Sequence, residues 1–100
     1  MVKHALEVVE FKLNDGVTTE AFLKELNKTK PFVSSLDGFI ERHTAQNHDG
    51  LWVDVVKWRD VKSAKEAAKQ FASAEEIKGF IMMLNHATIK MQHFEVQDSM

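Results

Sequence analysis

The stretch Leu51–Asp60, LWVDVVKWRD, constrains the fold of this chain more than any other. Two Trp, three Val and one Leu among ten residues predict a β-strand with little exposed surface. Because side chains alternate along a strand, Trp52, Asp54, Val56 and Trp58 share one face. Asp54 is therefore expected among large apolar neighbours, where a carboxylate needs a partner, contact with water, or a proton.

The composition predicts a single cytoplasmic domain that spans residues 1–100. With 44% hydrophobic and 28% charged residues, the chain can form a substantial core. A net charge of −2 gives no reason to expect binding to nucleic acid or an anionic membrane. The absence of cysteine excludes disulfides, thiolate metal sites and a Cys nucleophile, and it fits the cytoplasm. The N-terminal residues lack the apolar segment of a signal peptide, and no apolar run approaches the roughly 18 residues that span a bilayer.

Four stretches have the alternation and β-branched content of strands. They are His4–Leu13, Phe39–Gln46, Leu51–Asp60 and Thr88–Val96. The second is the most polar and is expected at an edge of the sheet. Asn47–Gly50, with its Asp-Gly pair, predicts a hairpin loop between the second and third strands.

Two helical regions separate these strands. The first begins at its N-cap Thr18, is expected to kink or break at Pro31, and closes at Gly38. The second is capped by Asp60 or Ser63. A further capping box, formed by Ser73 and Glu76, predicts that this second region is bent or interrupted near 72–73.

The order βαββαβ predicts an α+β, ferredoxin-like fold. Right-handed crossovers then give a four-stranded antiparallel sheet, with the first and third strands central and both helices on one face. Large apolar residues nevertheless occur on both faces of the sheet, namely Trp52, Trp58, Leu6, Val8 and Phe94. We expect a second copy of the chain to cover the tryptophan-bearing face, sheet to sheet, as a homodimer.

Several features resemble those of the dimeric α/β-barrel superfamily. They are a strand ending near Gly16, a strand ending in Trp58, an Ala-rich helix capped by Asp or Ser, and a short helical turn before the last strand. The nearest resemblance is to antibiotic-biosynthesis-monooxygenase-like proteins, and the stretches WVDVVKW and KMQHFEV are similar to a poorly characterised branch of that group. The resemblance implies a homodimer with a cavity between sheet and helices. Members include cofactor-free oxygenases of aromatic compounds, haem-degrading enzymes, isomerases and proteins without known activity.

The resemblance also allows one branch to be tested. Haem-degrading relatives carry an Asn on the first strand, and a Trp and a His on the second helical region. The corresponding places in this chain fall near Val9, near Ala67 or Ala68, and near Ile81. None of them matches, so haem degradation is not predicted.

Three residues are candidates for acid–base catalysis. Asp54 is the candidate general base, with a pKa raised by an apolar pocket. The alternative is a structural carboxylate paired with Arg42, Lys90 or His93. His86 and His93 are candidates to assist, since imidazole titrates near neutral pH, and the alternative for each is a capping or strand-edge role.

Four residues are candidates for ligand binding. Trp52 and Trp58 are predicted to line a pocket for a flat ligand, with packing at the dimer interface as the more common alternative. Met83 is predicted as an adaptable pocket wall or core filler. His43 is predicted to bind the ligand and could also take part in acid–base chemistry, and its alternative is a capping or strand-edge role. Nothing in the sequence has the spacing of a metal site or a phosphate-binding loop, so no metal or cofactor is predicted.

Two functional hypotheses follow. The first is a small-molecule enzyme or binder that acts on an aromatic or polyketide-like ligand, in the manner of cofactor-independent monooxygenases. The second is a non-catalytic dimeric protein that binds a ligand or takes part in a stress response.

Overall fold

The computed structural model describes residues 2–100 and has the predicted order of elements. The strands are β1 (Ala5–Phe11), β2 (Phe39–Gln46), β3 (Trp52–Trp58) and β4 (Lys90–Glu95). The helices are α1 (Thr19–Ser35), α2 (Val61–Ser73) and α3 (Lys78–Met82), with single 3-10 turns at Glu75–Ile77 and His86–Thr88.

The four strands form one antiparallel sheet in the order β2-β3-β1-β4. This order confirms the ferredoxin-like fold, the central position of β1 and β3, and the edge position of β2. The register places Asp54 between Val9 of β1 and Thr44 of β2, and it places Glu7 opposite His93 of β4. Directly paired residues lie on the same face of an antiparallel sheet, so Glu7, Asp54 and His93 share a face.

Helix α1 begins as predicted and does not break. The Thr18 hydroxyl oxygen accepts a hydrogen bond from the Ala21 amide at 3.1 Å. The helix then continues through Pro31 to Ser35, so it does not break at the proline, and it ends before Gly38, where the sequence predicted its close. Buried Thr29 and Val33 hold the helix against the sheet on both sides of the proline, and this packing outweighs the one lost backbone hydrogen bond.

Gly38 allows the chain to turn from α1 into β2 beside the start of α2. Its φ of +87° lies in the left-handed region that favours glycine. A Cβ at this position would lie only 2.6 Å from the Ser63 Cβ. No other residue type fits there without a shift of the backbone.

The second helical region is interrupted where the sequence predicted. Asp60 caps α2 by accepting a hydrogen bond from the Ser63 amide at 2.7 Å, and α2 ends at Ser73. The predicted capping role of Ser73 is wrong, because its hydroxyl donates to the Gln70 carbonyl oxygen and the following turn has no side-chain cap. The short α3 contributes Phe80, whose ring lies 6.3 Å, centre to centre, from that of Phe11 at the end of β1.

The structure corrects the prediction about the tryptophan-bearing face. Trp52 and Trp58 are only 5% and 2% exposed, because the chain's own helices cover their side of the sheet. The ring of Trp52 lies 4.7 Å from that of Phe22, and the ring of Trp58 lies 5.9 Å from that of Phe39. A second copy of the chain is therefore not needed to bury either tryptophan.

Among residues 2–100, no helix covers the opposite side of the sheet, and we call this side the open face. Strand register places on it a central group of apolar side chains, Leu6, Val8, Val53, Val55 and Phe94. The Phe94 side chain is 47% exposed. Alternation correctly sorted the residues into two faces, but it could not say which face the helices cover.

No helix within residues 2–100 has both the length and the apolar character needed to cross a membrane.

Candidate active site

A cavity of about 220 Å³ lies between the sheet and the helices. Its sheet side carries the polar groups, Glu7, Arg42 and Asp54, together with Val9, Phe11, Val56, Trp58 and Met91. The segments that cover it contribute only apolar side chains, Val33, Leu36, Ala67, Ala68, Phe71, Ala72, Phe80, Ile81, Leu84 and Ile89. The three small alanines of α2 leave the space that larger residues would fill.

One wall of the cavity is a closed ion pair. Arg42 donates from Nε and Nη2 to the Asp54 carboxylate, with the shortest distance 2.8 Å. The Thr44 hydroxyl adds a hydrogen bond to Asp54 Oδ1 at 3.2 Å, and Arg42 Nη1 donates to the buried Thr29 hydroxyl at 2.8 Å. The guanidinium also lies 5.7 Å from the centre of the Phe80 ring, in the range of a cation–π contact. Asp54 is thus held in place by its neighbours, and this pairing matches one of the structural alternatives for that residue.

The second polar group is a carboxylate–imidazole pair. Glu7 is 8% exposed, and its Oε2 lies 3.0 Å from Nε2 of half-buried His93. Burial raises the pKa of Glu7 above its ordinary value of 4.5. The hydrogen bond and charge of His93 lower that pKa in part, and the negative charge of Asp54 raises it further. At neutral pH, a larger fraction of Glu7 is therefore protonated than of an exposed glutamate.

Trp58, which also lines the cavity, has an unsatisfied donor. Its Nε1 is buried and has no hydrogen-bond partner within residues 2–100. The indole N–H lies near enough to Glu7 to favour the charged carboxylate, but it does not reach hydrogen-bond geometry. A buried donor without an acceptor costs roughly 1–3 kcal/mol.

Comparison with solved structures identifies the architecture. SnoaB from Streptomyces nogalater, described as a cofactor-independent oxygenase, superposes in a mutant form with a TM-score of 0.78 at 15% identity, over 98% of this chain and 97% of that one. A putative antibiotic biosynthesis monooxygenase from Bordetella bronchiseptica gives a TM-score of 0.79 at 15% identity, over 98% of this chain and 99% of that one. A similar protein from Nitrosomonas europaea gives 0.76 at 12% identity, over 97% and 93%. The chain has the fold of the antibiotic biosynthesis monooxygenases.

Sequence comparison adds nothing to this monooxygenase-like fold. No protein-family model matches the sequence, and no curated protein matches it significantly. At 10–16% identity, the likeness to these solved structures shows the fold and does not specify a reaction.

The structure brings three of the predicted site residues together. Asp54 and Trp58 line the cavity, and His93 contacts it through Glu7. Whether Asp54 acts as a base stays a prediction. Its hydrogen bonds to Arg42 and Thr44 occupy both carboxylate oxygens and weigh against that role.

The other four predicted residues lie away from the cavity lining. His86 is exposed, with Nε2 3.1 Å from the Ile81 carbonyl oxygen, and exposed His43 pairs with Glu41 on the open face at 2.7 Å. Trp52 packs in the core beside Phe22, and Met83 packs against the same core cluster. Among residues 2–100, no three His, Asp or Glu side chains are placed to hold a metal ion.

Sequence reasoning missed Glu7, although a signal for it was present. The alternation that put Val9 and Phe11 on one face of β1 also puts Ala5 and Glu7 there. A single carboxylate on an otherwise apolar face of a central strand is the same signal that drew attention to Asp54.

The raised pKa of Glu7 predicts how stability depends on pH. The folded state holds the Glu7 proton more tightly than the unfolded state. The contribution of Glu7 to the free energy of unfolding is therefore lost as pH rises from about 4.5 through the raised pKa. Glu7→Gln removes that titration. Its melting temperature relative to the native protein should therefore rise with pH across this window, as measured by thermal unfolding from acid to neutral pH.

Glu66→Gln makes the same change at an exposed position of α2 and serves as the control. The difference in melting temperature between this variant and the native protein should not rise with pH. If the difference for Glu7→Gln were the same at every pH, the raised pKa of Glu7 would be contradicted.

Proposed function

We propose that this protein binds a small aromatic compound in the cavity beneath its helices and acts on it as a cofactor-independent monooxygenase. One observation supports this proposal above the others. The sheet side of an apolar cavity carries a buried carboxylate of raised pKa, and beside it lies a buried indole N–H that lacks an acceptor among residues 2–100. Convergent polar groups in an apolar pocket are the usual mark of a ligand site.

The size of the cavity limits the ligand. Its volume of about 220 Å³ lies below the roughly 300–1,000 Å³ typical of sites for drug-sized molecules. A compound of one or two fused rings suits this space better than an extended polyketide. The apolar side chains that cover the cavity would contact the faces of the ligand rings, and the oxygen substituent of the ligand would lie toward Trp58 and Glu7.

The reaction needs an acidic C–H group on the ligand. A base removes the proton to give a carbanion, and molecular oxygen takes an electron from it and recombines at the carbon to form a peroxide. Loss of water from the peroxide then converts the CH₂ group and one O₂ into a carbonyl group and one H₂O. The apolar side chains that cover the cavity would exclude bulk water, which would otherwise reprotonate the carbanion.

We also propose that the protein is a homodimer that associates through its open face. Leu6, Val8, Val53 and Val55 lie at the centre of that face on the two central strands, and each is half-buried there. A contiguous apolar patch on a sheet commonly marks an interface. A two-fold contact with a second copy would bury it on both chains at once.

The alternative function, a ligand-binding protein without chemistry, is supported by the Arg42–Asp54 pair. Both oxygens of the Asp54 carboxylate accept hydrogen bonds, which suits a residue that holds the cavity wall in place better than one that transfers protons. Ligand binding is common to both hypotheses, so it is the property to test first.

The binding test uses β-tetralone, a two-ring ketone whose oxygen can accept the Trp58 N–H, followed by quenching of tryptophan fluorescence. Ala68→Leu places a larger side chain in the cavity and should weaken binding at least about tenfold, because the ligand and the leucine need the same space. The control is Ala87→Leu, the same change at an exposed position. Equal affinity of all three proteins, or no binding by the native protein, would contradict the proposed site.

A further inference from the structure

We infer that Glu7 is the proton-accepting group of the cavity and that His93 positions it, so that the site catalyses enolisation of a bound carbonyl compound. This inference rests on the proposed function, because it needs a ligand in the cavity. It adds what the fold does not specify, namely which residue removes the proton.

The geometry separates Glu7 from the other carboxylate of the cavity. Both oxygens of Asp54 accept hydrogen bonds from Arg42 and Thr44. Among residues 2–100, Glu7 forms a hydrogen bond of good geometry only with His93, on Oε2, and the Trp58 indole lies nearby. The other oxygen of Glu7, Oε1, makes no hydrogen bond within residues 2–100. A base must have a free oxygen within reach of the proton that it removes, and of these two residues Glu7 meets that condition.

The surroundings of Glu7 suit reversible proton transfer. The charged or titratable groups around it are His93 on β4, Asp54 on β3 and Arg42 on β2, and the covering helices contribute only apolar side chains to the cavity. Burial raises the pKa of Glu7, which makes the carboxylate a stronger base than an exposed glutamate.

The proton balance is simple. The C–H bond beside the ligand carbonyl breaks, its electron pair forms the enolate, and the proton forms an O–H bond on Glu7 Oε1. In this inference the Trp58 indole N–H, which lies near Glu7 and has no acceptor among residues 2–100, donates to the enolate oxygen as negative charge develops there. Return of a proton from Glu7, after exchange with solvent, regenerates the ligand. No oxidant takes part in this cycle.

The test follows hydrogen exchange without oxygen. β-Tetralone carries a CH₂ group between its ring and its carbonyl, and replacement of these hydrogens by deuterium from D₂O is measured by proton NMR under nitrogen. The native protein should accelerate the exchange over buffer. Glu7→Gln should lose at least about 100-fold of that acceleration, in line with removal of a general base, while still binding the ketone.

His93→Gln separates positioning from mere stability. His93 lowers the pKa of Glu7, so without it that pKa rises further and the rise of exchange rate with pH should move to higher pH. Glu66→Gln on the exposed surface of α2 should match the native rate and profile. A purely structural role for His93 would lower the rate without moving the profile.

The outcomes distinguish this inference from the proposal beneath it. Binding of β-tetralone without accelerated exchange, or full exchange by Glu7→Gln, would overturn the role of Glu7 and leave the ligand site standing. No binding by the native protein would overturn the ligand site, and the inference with it.

Discussion

Replacing Trp58 by Arg should prevent the protein from folding. The side chain is 2% exposed and packs among Phe39, Val56 and the core of α2, so the change removes a large apolar group and forces a charged side chain into the core. Losses of this kind exceed about 4–5 kcal/mol, which is a large part of the stability of a small domain. Circular dichroism and the yield of soluble protein measure the effect.

Val55→Arg is the matched control on the same strand. Val55 points to the open face, away from the core beneath the helices, so arginine there should leave the fold of each chain intact. If the open face joins two copies, this variant should also shift the mass measured by light scattering from dimer to monomer. A folded Trp58→Arg protein would contradict the core position of Trp58, and a native protein that is already a monomer would contradict the homodimer.

Replacing Arg42 by Met should cost about 3–5 kcal/mol, because it leaves the buried Asp54 carboxylate without its cationic partner. The same substitution frees the Thr29 hydroxyl from one hydrogen bond. Urea denaturation measures the free energy of unfolding. Changing Asp54 to Leu in the same chain should recover much of the loss, because the pair is then replaced by apolar side chains.

Arg59→Met provides the comparison at an exposed ion pair. Arg59 contacts Asp37 at 2.9 Å, but water surrounds both side chains, so the free energy of unfolding should change little. If Arg42→Met and Arg59→Met lowered the free energy of unfolding equally, the claim that burial makes the Arg42–Asp54 pair important for stability would be contradicted.

Much of the fold could be predicted because its signals are local. The bounds of β2 match the prediction, since turn residues flank it on both sides, and the caps at Thr18 and Asp60 depend on neighbours three residues away. The uninterrupted helix at Pro31 could not be predicted in this way. Its continuity depends on contacts of Thr29 and Val33 with the rest of the molecule.

The candidate site was only partly predictable, for a similar reason. Alternation identified Asp54 as buried, and Arg42 was among its expected partners because the two strands are joined by a short hairpin. Glu7 and His93 are 86 residues apart, and only the pairing of β1 with β4 brings them together. The choice of covered face depends on how the crossovers pack, so the place of Trp58 beneath the helices was predicted wrongly.

The most direct test of this account is the binding titration observed by NMR at the two tryptophan indole N–H groups. The chain has only two tryptophans, and only Trp58 lines the cavity within the described residues, while Trp52 packs against Phe22. Addition of β-tetralone should shift the Trp58 indole resonance strongly, as its buried N–H gains an acceptor, and leave that of Trp52 nearly unchanged. A ligand that shifts only open-face residues, or leaves the Trp58 resonance where it was, would contradict a binding site beneath the helices.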